Sequence, residues 1–246
     1  MVTITEIRSD PYWALGTADR PVDANEIRDA IHGQGYMMMS VQTTNVPPFE
    51  WWSMITELPA FSARQRTLFE FVKQKHGPQV RKYTGEPYWY HLVEVAKMVW
   101  DHEHYAVEAA LCHDLIEDTT CGYRHLKQEL IRIGYIEDAA TCIRNTVEEL
   151  TDHFPGGALD DNGRELSRTN RKQREAQRLR LVSRTAQTIK FADLIHNAQS
   201  IIEHDKAFAP VFIQEATDLA REMRLGDEKL FLRLCNIIHN YHERKN

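Results

Sequence analysis

The chain has 246 residues, 42% of them apolar and 27% charged, and a net charge of −6. Those values suit a soluble globular protein of one large domain, or one domain with an appendage. No run of 18 or more apolar residues exists, so no transmembrane helix is expected. The opening MVTITEIRSDPYW lacks the basic and apolar runs of a secretory signal.

Cys112, Cys121, Cys142 and Cys235 form no CxxC pair. They read as reduced thiols of a cytoplasmic protein, not as a disulfide frame or a zinc site. Charge is uneven. Residues 1–60 hold eight acidic and three basic side chains, whereas residues 164–190 hold nine Lys/Arg against two Glu. A run of that kind reads as a solvated helix face or as a basic flank for a phosphate-rich ligand. The overall negative charge argues against non-specific binding to nucleic acid.

Residues 1–60 read as an N-terminal appendage. A short helix is expected from Asp23 or Asn25 to His32, and a strand over Tyr36–Thr43. Pro47-Pro48 ends this region, and Trp51-Trp52 are expected to pack it against the body. From Ser62 the pattern is helical almost throughout. Ser62 is placed to cap a helix over Ala63–His76, which Gly77-Pro78 breaks. Pro87 suits the first turn of a helix running to about His102. Further helices are expected over Ala106–Glu117, Tyr123–Ile133, Ile136–Asp152, Arg164–Ser183, Thr185–His204, Phe212–Leu225 and Glu228–Glu243, with a loop over Pro155–Gly163. Residues 61–246 are therefore expected to form an all-α bundle.

Within it, His113-Asp114 lies in an otherwise apolar helix, Ala109-Ala110-Leu111-Cys112-His113-Asp114-Leu115-Ile116. Burying an imidazole beside a carboxylate is costly unless both are bonded or ligated. His91 lies early in the Pro87 helix, and Asp193 lies between Ala192 and Leu194 in a later one. Together, His91, His113, Asp114 and Asp193 suit one divalent cation such as Mn2+, Fe2+, Co2+ or Zn2+. Helical spacing puts Glu117 and Asp118 one turn from His113 and Asp114. That is a place for groups that orient or deprotonate a water held by the cation. The other histidines, His76 and His196 among them, read as structural or solvated.

These residues resemble the hydrolase domain of the Rel/SpoT alarmone enzymes and the small stand-alone alarmone hydrolases, within the HD superfamily. The resemblance runs from about Phe69 to Ser200. It covers His76, Arg81-Lys82, Gly85-Glu86-Pro87-Tyr88-Trp89-Tyr90-His91, Ala109–Thr119, Val147–Asp152 and Ile189–Asn197. It implies an HD-domain helical bundle and a metal-dependent hydrolase. The substrate would be guanosine tetra- or pentaphosphate, giving GDP or GTP and pyrophosphate. It further implies that His91, His113, Asp114 and Asp193 are metal ligands and that Glu117 and Asp118 are the catalytic acidic pair. Arg81 would pack on the purine with Lys82 beside it, and Asn197 would contact the sugar. Leu92, Phe191 and Leu194 stand where the family usually has Pro, Leu and a basic residue. Lys82 and some of Arg164, Arg168, Arg171, Lys172 and Arg174 are the candidates for phosphate contact. Three other readings stay open: an HD enzyme acting on a deoxynucleoside phosphate or NADPH, a non-enzymatic nucleotide sensor, and a helical nucleic-acid-binding protein using residues 164–190. The oligomeric state is left open.

Overall fold

The computed structural model describes residues 4–10, 13–18, 61–102 and 105–244. The chain divides into two compact units, Met1–Arg66 and Thr67–Asn246. In the first, β1 (Ile4–Asp10) pairs antiparallel with β2 (Trp13–Ala18), with Ile7 opposite Gly16, Asp10 opposite Trp13 and an irregularity between Ile4 and Glu6. This hairpin is not among the expected elements. The helix to His32, the strand over Tyr36–Thr43 and the Trp51-Trp52 packing all lie outside the described residues.

The second unit is helical, and α1 (Ala63–His76) leads into it. Ser62 Oγ accepts the Gln65 N–H (3.3 Å) while Gln65 Oε1 accepts the Ser62 N–H (2.9 Å). That reciprocal pair satisfies two backbone donors at the helix start. After α1 the chain makes a small turn, in which the Arg81 N–H donates to the Glu86 carbonyl (2.7 Å) and Val80 bridges Pro87. Gly85 closes the turn at φ +71, a left-handed conformation that strains any residue with a Cβ. Because Pro87 is held in this bridge, α2 begins at Trp89 and runs to Met98.

The Ala106–Glu117 helix of the sequence reading is broken in two: α3 (Ala106–Cys112) and α4 (Leu115–Asp118). The His113 N–H reaches back to the Ala110 carbonyl at 3.5 Å, and Asp114 sits at φ −96, ψ −1. The His-Asp pair thus forms the joint between two helices. Then follow α5 (Tyr123–Ile133), closed by Gly134 at φ +106, and α6 (Glu137–Leu150). The loop contains a bridge from Leu159 to Glu165, so α7 (Arg168–Leu179) starts one turn later than expected, with Ser167 Oγ accepting the Asn170 N–H. Arg164 therefore lies in the loop.

The axis of the unit is α8 (Arg184–His204), which packs against α2, α3, α6, α9 (Ala209–Glu222) and α10 (Glu228–Glu243). A helix with neighbours on most sides is apolar most of the way round. Accordingly, Ile189, Phe191, Ala192, Leu194, Ile195 and Ala198 are all buried. Each large apolar side chain so buried contributes about 1.5–3 kcal/mol. Gln187, fully buried on α8, is also fully bonded. Its Nε2 donates to the Leu179 carbonyl (3.0 Å), and its Oε1 accepts the N–H groups of Leu225 (2.7 Å) and Gly226 (3.2 Å). Gly226 lies so close that an added Cβ would stand 2.5 Å from a ring carbon of Phe191. This clamp fixes α8, and α8 carries Asp193.

Candidate metal centre

Three elements bring the donor atoms of His91, His113 and Asp114 together, with Asp193 beside the two histidines. His91 comes from the first turn of α2, His113 and Asp114 from the α3–α4 joint, and Asp193 from the middle of α8. His91 is fully buried, and His113 and Asp193 nearly so. The donor atoms of His91, His113 and Asp114 all lie within 4.8 Å of one another. His91 Nε2 is 3.5 Å from Asp114 Oδ2 and 3.2 Å from Asp193 Oδ1. His113 Nε2 is 3.0 Å from Asp114 Oδ2 and 3.7 Å from Asp193 Oδ1.

These residues fit a cation. Both Nε2 atoms are buried and lack a hydrogen bond of acceptable geometry, although carboxylate oxygens are close. Bonds of about 2.0–2.2 Å from one ion to N and O donors put neighbouring donors about 3–3.6 Å apart; three of the four separations fall in that range, and His113–Asp193, at 3.7 Å, is longer. Electrostatics point the same way. Burial pushes the Asp114 carboxyl up, but His113 and His91 hold it well below the usual carboxylate range. Burial likewise opposes ionisation of Asp193, and Lys190, His113 and His91 outweigh it. Burial pulls His113 down, yet Asp114 and Asp193 hold it well above the ordinary imidazole value. The pocket thus demands positive charge, which a divalent ion supplies without protonating its imidazole donors.

A second ring of side chains fixes the first. His113 Nδ1–H donates to the Ala110 carbonyl (2.8 Å), leaving the Nε2 lone pair to face the cluster. His91 Nδ1 meets His196 Nδ1 at 2.7 Å. Burial, with His91 and Arg81 nearby, pulls His196 down to about 3, so it is neutral. The Tyr88 hydroxyl donates to Asp114 Oδ2 (2.6 Å), and burial with the Asp114 charge keeps it a phenol. Lys190 Nζ donates to Asp193 Oδ2 (2.8 Å) and Asn197 Nδ2 to Asp193 Oδ1 (2.6 Å). Burial opposes the Lys190 charge, but Asp193 and Glu117 hold it protonated.

The acidic pair is anchored from two sides. Glu117 Oε1 accepts the Asp152 N–H (2.6 Å), and Asp118 Oδ2 accepts from Gln79 Nε2 (2.9 Å). Gln79 Oε1 is in turn bonded to His76 Nδ1 (2.7 Å). Burial raises the Glu117 carboxyl above its ordinary value, although Lys190 and the Asp152 N–H pull it down.

Of the expected nucleotide contacts, Arg81 and Asn197 come together, with both terminal guanidinium nitrogens donating to Asn197 Oδ1 at 3.0 Å. Lys172 donates to Asp152 Oδ2 (2.8 Å) and so reaches the edge of the site next to Glu117. Arg171 donates to the Phe154 carbonyl (3.2 Å). Lys82 is three-quarters exposed and leans on Tyr83 and Asp205. Sequence reasoning missed Tyr88, Lys190, Gln79 and Asp152, and read His76 and His196 as structural or solvated. The available signal was position: Lys190 and His196 flank Asp193 by three residues on either side, and Tyr88 precedes His91 by three.

No family model matches the chain. Over 95 residues, 37% of its length, it is 39% identical to the guanosine-3′,5′-bis(diphosphate) 3′-pyrophosphohydrolase of Aquifex aeolicus (strain VF5). The chain spans 13% of that relative's length. A solved structure described as a metazoan ortholog of SpoT that hydrolyzes ppGpp and plays a role in starvation responses matches with a TM-score of 0.59 and 22% identity. That match covers 73% of this chain and 96% of the other. The helical body shares the all-α bundle fold of that structure. In this bundle the His113-Asp114 joint and the first turn of α2 meet at one cation-sized cluster, and Asp193 in the middle of α8 lies 3.2 Å from His91. Among the described residues no helix is long and apolar enough to cross a membrane.

Proposed function

We propose that the chain hydrolyses the 3′-pyrophosphate of guanosine tetra- and pentaphosphate, with one Mn2+ held by His91, His113, Asp114 and Asp193. The observation that carries this reading is the pair of orphaned, buried Nε2 atoms facing two ionised carboxylates, with Glu117 and Asp118 one turn away. The substrate class is supported by what the sequence relative and the structural neighbour are named for.

When bound, such a cation lowers the pKa of water and polarises a phosphoryl oxygen. The remaining work falls to side chains. Glu117 takes the proton of the attacking water, and burial raises its carboxyl toward the range useful to a base. Asp118, held by Gln79, orients that water. The water oxygen bonds to the phosphorus attached to the 3′-oxygen, the 3′ C–O–P bridge breaks at P–O, and the leaving 3′-oxygen takes up the proton that Glu117 accepted. Pyrophosphate departs as a unit, and GDP or GTP remains. Tyr88, Lys190 and Asn197 keep Asp114 and Asp193 in place through this cycle. Arg81 lays its planar guanidinium on guanine, and Asn197 meets the ribose. Lys172 and Arg171, on α7, face the phosphate arms.

Free cysteines suit a reducing cytoplasm. Residues 1–60 form an appendage to the hydrolase body of residues 61–246. The test is a nucleotide panel of ppGpp, pppGpp, dGTP and NADPH, each incubated with the purified chain and Mn2+ and resolved by chromatography. The guanosine polyphosphates should be turned over with the highest kcat/KM. A preference for dGTP or NADPH would refute the substrate assignment.

A further inference from the structure

We infer that His196 is a positioning residue for His91: it accepts the Nδ1–H of that imidazole and so presents Nε2 to the cluster as a bare lone pair. The inference rests on reading that cluster as the cation site of a hydrolase. Its observations are geometric. The two Nδ1 atoms are 2.7 Å apart, and the rings lie 4.9 Å apart at 30°. His91 is fully buried, and its Nε2 stands 3.2 Å and 3.5 Å from the carboxylates of Asp193 and Asp114.

Two imidazoles whose Nδ1 atoms stand 2.7 Å apart have room for a single proton along that line. If His196 holds it, the ring proton of His91 must sit on Nε2, between the carboxylates, where it blocks a cation. If His91 holds it, Nε2 is open to a cation and His196 carries its own proton on Nε2. Cation binding therefore requires His196 to be the acceptor. The outer ring nitrogen of a metal-binding histidine ordinarily donates to an acceptor that sets tautomer and ring angle. His113 has such an acceptor in the Ala110 carbonyl, which no side-chain substitution removes. For His91 the acceptor is a side chain, and it lies three residues beyond Asp193 on α8. One helix thus supplies a ligand and also sets the state of a second ligand borne by α2.

The test uses the full chain stripped of metal and titrated with Mn2+ by calorimetry, in wild type, His196→Phe and His196→Asn. Phe keeps ring volume and removes the acceptor. Asn places its Oδ1 where Nδ1 was. His196→Phe should weaken Mn2+ binding by about 10- to 100-fold, the usual effect of losing an outer partner, and His196→Asn should recover most of that loss. Wild-type affinity in the Phe variant would overturn the inference, and so would an Asn variant as weak as Phe, which would assign the effect to packing. A readout independent of folding variants is the 1H–15N spectrum of histidine-labelled wild type loaded with Zn2+. His91 should appear as the Nδ1–H tautomer, and an Nε2–H His91 would overturn the inference. None of these readouts involves a nucleotide. A chain that leaves ppGpp intact but shows this pattern sinks the substrate assignment alone; one that hydrolyses ppGpp while the Phe variant binds Mn2+ normally sinks this inference alone.

Discussion

Replacing Lys190 with Met separates the structural and chemical roles of the cluster. The ammonium is 2.8 Å from Asp193 Oδ2, and its side chain is 23% exposed. Met keeps most of the stem and removes the charge. Breaking a buried ion pair costs about 3–5 kcal/mol when the remaining charge has no other partner. Asp193 keeps Asn197 and the two imidazoles, so the metal-free protein should lose about 3 kcal/mol at most, the low end of that range. Mn2+ restores positive charge beside Asp193, so the loss should shrink when the ion is saturating. The second effect falls on Glu117. Burial raises that carboxyl, and Lys190 is the first influence pulling it down. Without Lys190 its pKa rises further. A base must be ionised to accept a proton, so the acidic limb of kcat should move to higher pH. Denaturant unfolding with and without Mn2+ gives the first quantity, and a pH profile of kcat at saturating Mn2+ gives the second. An acidic limb that stays put or moves to lower pH would refute the assignment of Glu117 as the base under Lys190's control.

Tyr88→Phe removes one hydrogen bond to an ionised carboxylate, worth about 1.5–3 kcal/mol, and leaves the ring stacked on His76. Mn2+ affinity measured by calorimetry should fall by roughly 10- to 100-fold, and an unchanged affinity would show that Asp114 needs no such anchor. Glu117→Gln should retain Mn2+ and lower kcat by about 10²-fold or more, checked by single-turnover kinetics; wild-type turnover would remove Glu117 from the chemistry. Gly226→Ala drives a methyl group against Phe191 and should cost about 1–3 kcal/mol in chemical denaturation. Stability equal to wild type would mean that the α9–α10 turn does not clamp α8.

The parts of the site that were legible in the sequence are those whose burial is costly. His113-Asp114 among alanines and leucines, and Asp193 between Ala192 and Leu194, mark a candidate site because a polar or charged group set among apolar residues must find a partner when it is buried. The helix break at that pair was not legible, because Ala106–Glu117 is uniformly good helix sequence and the joint is set by tertiary packing. The outer ring was missed for a different reason. Gln79 meets Asp118 across 39 positions, and Asp152 meets Glu117 across 35. Each is a polar residue that looks solvated in its own segment. The fold was clearest where local chemistry decides: Ser62 and Gln65 start α1, and Gly134 ends α5. The β1–β2 hairpin was not legible because neither Ile4–Asp10 nor Trp13–Ala18 alternates apolar and polar residues along its length.

The central claim is metal-dependent release of pyrophosphate, and 31P NMR of ppGpp incubated with the purified chain tests it most directly. With Mn2+ present, the 3′-diphosphate signals should give way to free pyrophosphate while the 5′-diphosphate signals remain as those of GDP. A chelator should stop the conversion, and added Mn2+ should restore it. Release of inorganic phosphate in place of pyrophosphate, or conversion that continues undiminished under the chelator, would contradict the account.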